Sequence, residues 1–266
     1  MLPMDNLRTY GAQPFDLVLL HGGPGAPGTM GPVARRLSIS FGVIEPLMLS
    51  LSIHEQLEDL NSIVVNNSSM PLFFIGHSWG AWLSILYAAK YPDRVKKIVL
   101  IGAPPFEEKY VHIVNETRLS RLNEKEKINF NQEERKLGDI ESVTNSLSSG
   151  FVSLLTKTDV FESLPNESIS SDYNPAIYRN IWSEASELRK TGKLLEFVKE
   201  VKCQVVAIHG DYDPHPADGV REPLSAILTN FRFNLIERCG HYPWMEKYGK
   251  DILYKIFYKE MGSTCV

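Results

Sequence analysis

One repeated phrase constrains this chain more than anything else in it. A short apolar run rich in β-formers stops at glycine, and a stretch with helical spacing follows. Asp16–Leu20 (DLVLL) stops at His21-Gly22-Gly23-Pro24-Gly25, and Leu72–Ile75 (LFFI) stops at Gly76. Ile98–Ile101 (IVLI) stops at Gly102, Val205–Ile208 (VVAI) at His209-Gly210, and Phe231–Ile236 (FRFNLI) near Cys239-Gly240. Phe41–Leu47 (FGVIEPL) is a further run, short or broken at Pro46. Apolar runs with little polar alternation suit strands buried on both faces. Met30–Leu37, Asp218–Thr229 and Tyr248–Lys259 read as helices between them. In Ile53–Val65, the residues Ile53, Leu57, Leu60 and Val64 recur close to a 3.6 period. Trp79–Lys90 is apolar on most sides, as a helix packed on the middle of a sheet must be. The expected fold is α/β: a mainly parallel sheet with helices on both faces.

The alternation lapses from about Pro104 to Lys202, where Glu, Lys, Asn and Ser dominate. Glu116–Leu137 is highly charged with weak apolar periodicity. Tyr178–Leu195 reads as one helix carrying Ile181, Trp182, Ala185 and Leu188. Ser-rich Thr144–Ser149 and Pro165–Ser171 read as loops. This divides the chain into a core of residues 1–104 and 203–266 and an inserted helical cap of residues 105–202. The cap is expected to close over the active edge of the sheet, with Tyr178 and Trp182 lining the space beneath. A length of 266 residues suffices for one core with such an insertion.

Charge and cysteine usage narrow the partners. The net charge is −4 and no basic run occurs, which speaks against a nucleic-acid partner. No apolar run approaches the ~20 residues that span a bilayer. Met1–Tyr10 has no apolar h-region and does not read as a signal peptide. The 3 cysteines, Cys203, Cys239 and Cys265, have the spacing of neither a disulfide framework nor a zinc site. Reduced thiols and the absence of a leader point to a cytoplasmic protein.

Gly76-His77-Ser78-Trp79-Gly80 fits G-x-S-x-G. With 18 glycines in the chain, chance alone would produce the pattern in roughly one such sequence in ten, so its context decides. LFFI leads directly into it and a helical stretch leaves it. A nucleophile elbow needs that strand–turn–helix, with glycine on both sides of a turn that forces the serine into strained φ/ψ. A serine that merely capped the helix would not need the flanking glycines. Ser78 is therefore the expected nucleophile, and His77, adjacent in so tight a turn, is expected to pack rather than to act as base. Acyl transfer also needs two preorganised N–H donors for the developing oxyanion. The Gly-rich loop after DLVLL places Gly23 N–H as one, and the helix start places Trp79 N–H as the other. His21 is expected to brace that loop.

A serine hydroxyl needs a base, and the base an orienting carboxylate. Of 7 histidines, His241 alone lies after the last strand, where a loop could return to Ser78. The acid should follow VVAI, where both Asp211 and Asp213 stand, and spacing favours neither. His215 is a further candidate ligand or substrate contact in that loop, against the plainer reading of a solvated loop histidine.

With these motifs in place the chain resembles the α/β-hydrolase superfamily, and in particular its proline iminopeptidase-like members, which share HGGPG and GxSWG. The resemblance spans about residues 15–105 and 200–250. It implies Asp213 as the acid, three residues after Gly210 in G-x-x-D. It also implies His241 as the base, in the G-H-x-P-like run Gly240-His241-Tyr242-Pro243. HGGPG implies Gly23 and Trp79 as the oxyanion donors. The usual leading hairpin is shortened here, since about 15 residues precede the strand that runs into HGGPG and at most one leading strand fits.

The expected function is that of a serine hydrolase with neither metal nor cofactor, cleaving an ester or amide of a small molecule or short peptide. Two alternatives stand beside it: a prolyl-type aminopeptidase, and a ligand-binding member of the fold with little turnover. Glu184, Glu187, Glu116 and Asp172 are the cap carboxylates that could hold a substrate amino terminus. The plain alternative for each is a solvated helix face.

Overall fold

The central strands bury both faces, which is why the sequence shows apolar runs in place of alternation. The computed structural model describes residues 6–137, 146–170 and 172–262. Seven strands form one sheet: β1 (Leu7–Tyr10), β2 (Phe15–Leu20), β3 (Gly42–Pro46), β4 (Leu72–His77), β5 (Val95–Ile101), β6 (Gln204–Gly210) and β7 (Phe231–Ile236). Their order is β1-β3-β2-β4-β5-β6-β7. β1 is antiparallel to β3 and every other pair is parallel. Among the described residues a single strand, β1, thus precedes β2, the strand that leads into the HGGPG loop.

Successive side chains point to opposite faces and feed two separate cores. Val18 and Leu20 of β2, with Ile98 and Leu100 of β5, enter one core; Leu17, Leu19, Val99 and Ile101 enter the other. β7 departs from the expectation of burial on both faces. It is an edge strand with a neighbour on one side, and only Ile236 in it is buried.

Ten α-helices occur among the described residues. They are α1 (Gly31–Leu37), α2 (Ile53–Asn67), α3 (Trp79–Lys90), α4 (Val111–Ser120), α5 (Glu124–Leu137), α6 (Ser149–Asp159), α7 (Pro175–Lys190), α8 (Lys193–Glu200), α9 (Asp218–Ile227) and α10 (Lys250–Met261). The second core takes Val33, Ala34 and Leu37 of α1 with Leu253, Phe257 and Tyr258 of α10. The first core takes the buried stripe of α2, nearly all of α3, and Val220 and Leu224 of α9. Ser52 starts α2 by accepting the Glu55 N–H at 3.2 Å.

The middle block differs in detail from its reading in sequence. Glu116–Leu137 is two helices. At the break, Asn123 and Glu126 exchange hydrogen bonds at 2.8 and 3.0 Å, a capping box that starts α5 afresh. Tyr178–Leu195 is likewise two, because Gly192 takes a left-handed φ of 77° between α7 and α8. Ser148, expected in a loop, caps α6 by accepting the Phe151 N–H at 3.1 Å. Thr144, Asn145 and Ser171 lie outside the described residues. Among the described residues of this block, α5, α6 and the turn before them carry a cluster of their own, Leu122, Phe130 and Phe151. Ile177, Ile181 and Ala185 of α7 and Leu194 and Val198 of α8 join the first core of the sheet.

Topology places the site. The chain leaves β2 for β3 on one side, then crosses back to β4 on the other. The carboxyl ends of β2 and β4 therefore flank a switch point, where open α/β sheets form their ligand crevice. The HGGPG loop and Ser78 leave from those two strand ends.

Candidate active site

Ser78 sits between β4 and α3 at φ 51° and ψ −117°, a conformation few non-glycine residues adopt. The flanking glycines are needed sterically. A Cβ on Gly76 would lie 2.1 Å from Gly80 O, and one on Gly80 would lie 2.2 Å from Leu20 O. Ser78 makes no side-chain cap bond to α3, which leaves its hydroxyl available to the crevice.

The HGGPG loop lies against this elbow. A Cβ on Gly22 would come within 2.4 Å of His77 Nδ1 and 3.0 Å of Ser78 Cβ, so only glycine permits the approach. Gly23 has a φ of 52°. Neither Gly23 N–H nor Trp79 N–H donates to another backbone group among the described residues. His21 braces the loop as expected: its Nδ1 lies 3.0 Å from Gly22 O and its Nε2 2.9 Å from Leu47 O. Burial lowers the His21 pKa, and a neutral ring donates to one carbonyl at a time.

The two aspartates after β6 have different partners. Asp211 accepts the Cys239 N–H at 3.2 Å, whereas Asp213 Oδ2 accepts from His241 Nδ1 at 2.7 Å. Gly210 makes this possible: a Cβ there would lie 2.0 Å from Cys239 O, so the acid loop could not approach the histidine loop. Gly102, at φ 50°, backs the pair, and its Cβ would fall 2.8 Å from His241 Nδ1.

Further contacts hold His241 and the residues around it, and apart from that of His77 they were not legible in the sequence. His77 Nε2 lies 2.9 Å from His241 O, the packing role expected for it. Asp159 O accepts the His241 N–H at 2.7 Å, with Arg118 bound to both Asp159 carboxylate oxygens at 2.9 and 2.5 Å. Glu246, fully buried, accepts three amide N–H groups: Gly240 at 2.7 Å, Phe161 at 2.9 Å and Tyr242 at 3.2 Å. His215 is buried, correcting its reading as a solvated residue. Its Nδ1 donates to Asp213 Oδ1 at 2.9 Å.

Electrostatics separate these groups. Burial alone would push the Asp213 carboxyl up, but His241, His209 and His215 facing it hold it well below the carboxylate range. Burial opposes a charge on His241, yet Asp213 outweighs it and raises the ring above the ordinary 6.5. His77 goes the other way, pushed well below by burial and by His241. Burial also takes His215 down to about 4, against the pull of Asp213. Asp213, His215 and His241 place potential metal-ligand atoms within 4.8 Å of one another, but both histidine Nδ1 atoms are already engaged by the carboxylate.

These groups open on one cavity of about 430 Å³, lined by Ser78, His241, His215 and Gly23. The middle block adds Phe130, Phe151, Tyr178 and Trp182. Of the four cap carboxylates considered, Asp172 lines it, joined by Glu134 and Glu167. Glu184 instead accepts the Ile53 N–H at 2.9 Å at the start of α2, and Glu187 shares a separate groove with it. Glu116 is exposed on α4. Cys203 and Cys239 are free thiols, and Cys265 lies outside the described residues. No helix among the described residues is long and apolar enough to cross a membrane.

A family model for the alpha/beta hydrolase fold matches residues 50–248, well over half of the chain. The chain belongs to the α/β-hydrolase family. It is similar to a proline iminopeptidase of Heyndrickxia coagulans, 26% identical over 256 residues, which cover 87% of this chain and 85% of the relative. Among solved structures it is similar to VinJ, with a TM-score of 0.70, 15% identity and 96% and 94% of the two chains covered. A proline iminopeptidase of Mycobacterium smegmatis superposes with a TM-score of 0.65 at 12% identity, covering 96% and 93%. A monoacylglycerol lipase of Paleococcus ferrophilus gives 0.62 at 14%, covering 96% and 97%. At these identities the structural likeness is one of fold.

Proposed function

We propose that this α/β hydrolase is a serine hydrolase that cleaves an ester or amide of a small substrate through an acyl-enzyme on Ser78. The observation that carries the reading is the joint arrangement of a strained Ser78 with an Asp213–His241 hydrogen bond of 2.7 Å on one cavity. Ser78 attacks the carbonyl as His241 takes its proton. Asp213 holds Nδ1 protonated, so Nε2 is the basic nitrogen, and it stabilises the imidazolium that forms. Gly23 and Trp79 N–H groups receive the oxyanion. His241 then protonates the leaving group, and water releases the acyl group by the same steps in reverse roles. Residues 105–202 serve as the cap over this chemistry, and their aromatic side chains set what fits.

A second reading is favoured by one observation. Glu134, Glu167 and Asp172 line the cavity, and acids there would suit a free amino terminus, as an aminopeptidase of the kind named for the Heyndrickxia relative requires. Assay of proline and other amino-acid arylamides beside short acyl esters separates the two. Cleavage of esters alone discards the aminopeptidase reading, and Ser78→Ala is the blank for both. A binding-only role is supported if ligands raise the melting temperature while nothing is turned over and no probe labels Ser78.

A further inference from the structure

Asp213 serves two histidines, and the mechanism uses one. His241 Nδ1 donates to Oδ2 at 2.7 Å and His215 Nδ1 to Oδ1 at 2.9 Å, while the His215 backbone N–H also reaches Oδ1 at 2.9 Å. The second ring is thus as firmly oriented as the first. The rings lie side by side, with centroids 4.7 Å apart. His215 differs from its neighbours in exposure. Its side chain is 10% exposed where that of Asp213 is wholly buried, and it lines the cavity.

Tautomer chemistry fixes what His215 shows to the cavity. A carboxylate accepts only, so the proton of His215 resides on Nδ1. Burial keeps the ring neutral, which leaves Nε2 as a lone-pair acceptor. His209 shows the contrast. Its Nε2 lies 2.8 Å from His215 O, its Nδ1 is buried without a partner, and it does not line the cavity.

Position narrows the ligand. In acyl transfer the leaving-group heteroatom takes its proton from His241, so what borders the His241 ring borders the leaving group. The oxyanion loop lies on the side of His77, against which Gly22 packs.

We propose that His215 is a specificity-determining residue: its Nε2 accepts a hydrogen bond from the leaving group, selecting esters or amides whose leaving group carries an N–H or O–H donor. This rests on the serine hydrolase reading above. The site binds such a donor with Nε2, and an analogue lacking it leaves Nε2 without a partner.

Two aryl butyrates test it, one with a 2-hydroxyphenyl and one with a 2-methoxyphenyl leaving group. The wild type should favour the hydroxyl ester about tenfold in kcat/KM. His215→Asn keeps a donor for Asp213 and lacks the far-edge acceptor, so the ratio should fall to about one. Any change common to both esters divides out. Inhibition of the wild type by the freed phenols repeats the comparison without a variant, and the dihydroxy product should bind more tightly. A wild-type ratio near one, equal inhibition, or a ratio unaltered in His215→Asn overturns the assignment. Fluorophosphonate labelling of the same samples separates the failures: an unlabelled Ser78 removes the serine hydrolase reading, and a labelled Ser78 with a flat ratio removes only the role of His215.

Discussion

Glu246 is five residues beyond His241 and touches no cavity atom, yet its carboxylate holds the amides on both sides of that histidine. The third amide, from Phe161, ties the same carboxylate to the chain just after α6. Glu246→Ala would leave buried N–H groups without acceptors. At about 1–3 kcal/mol for each, and with relief from burying one charge in opposition, the net loss should be about 3–5 kcal/mol. For a chain of this size that corresponds to a fall in Tm of about 10 °C. Glu246→Gln keeps one acceptor oxygen, enough for the shorter Gly240 and Phe161 bonds, and turns an amide toward the Tyr242 N–H. Its cost should be about 1–2 kcal/mol. Because the turn would no longer fix His241, a displacement near 1 Å should lower kcat/KM about 100-fold in Glu246→Ala, with KM little altered. Thermal melts and fluorophosphonate labelling rates measure the two effects. A Glu246→Ala protein that melts within 2 °C of wild type and labels at the same rate refutes the clamp.

Gly102→Ala adds a methyl 2.8 Å from His241 Nδ1 at a φ of 50°, and should slow labelling of Ser78 about 100-fold or more. Activity should rise with pH along a limb above 6.5, because Asp213 raises His241. Asp213→Asn should move that limb down and reduce kcat about 10⁴-fold, read from pH–rate profiles. Asp213 also acts on folding. Its folded pKa is depressed, so the stability it contributes is present above 3.8 and lost as pH falls through the folded value, measurable by urea unfolding from pH 7 downward. Arg118→Ala leaves Asp159 buried without its cationic partner, with an expected loss of about 3–5 kcal/mol, and adding Asp159→Asn should recover part of it, again by urea unfolding.

How far the sequence could be read depended on the range of the forces involved. Strands β2 to β6 and helix α3 were legible because burial on both faces writes itself into consecutive apolar residues. Ser78 was legible because its turn demands glycine locally, at Gly76 and Gly80. The choice between Asp211 and Asp213 was not, since both follow the same strand and only the approach of Cys239 to Gly210 separates them. Glu246 and the Arg118–Asp159 pair were hidden for a related reason. A single buried charge has no period, and its partners lie in other segments, 41 residues apart for Arg118 and Asp159. The breaks at Asn123 and Gly192 do leave local marks, N-x-x-E and a lone glycine, which weak periodicity in the surrounding segments obscured.

Everything proposed for this site depends on Ser78 being a nucleophile activated by His241. Intact-mass analysis with peptide mapping after exposure to a fluorophosphonate tests it most directly. One adduct per chain is expected, on the peptide bearing Ser78, absent in Ser78→Ala and slowed by several powers of ten in His241→Ala. An unmodified wild-type chain, or an adduct that persists in Ser78→Ala, contradicts it.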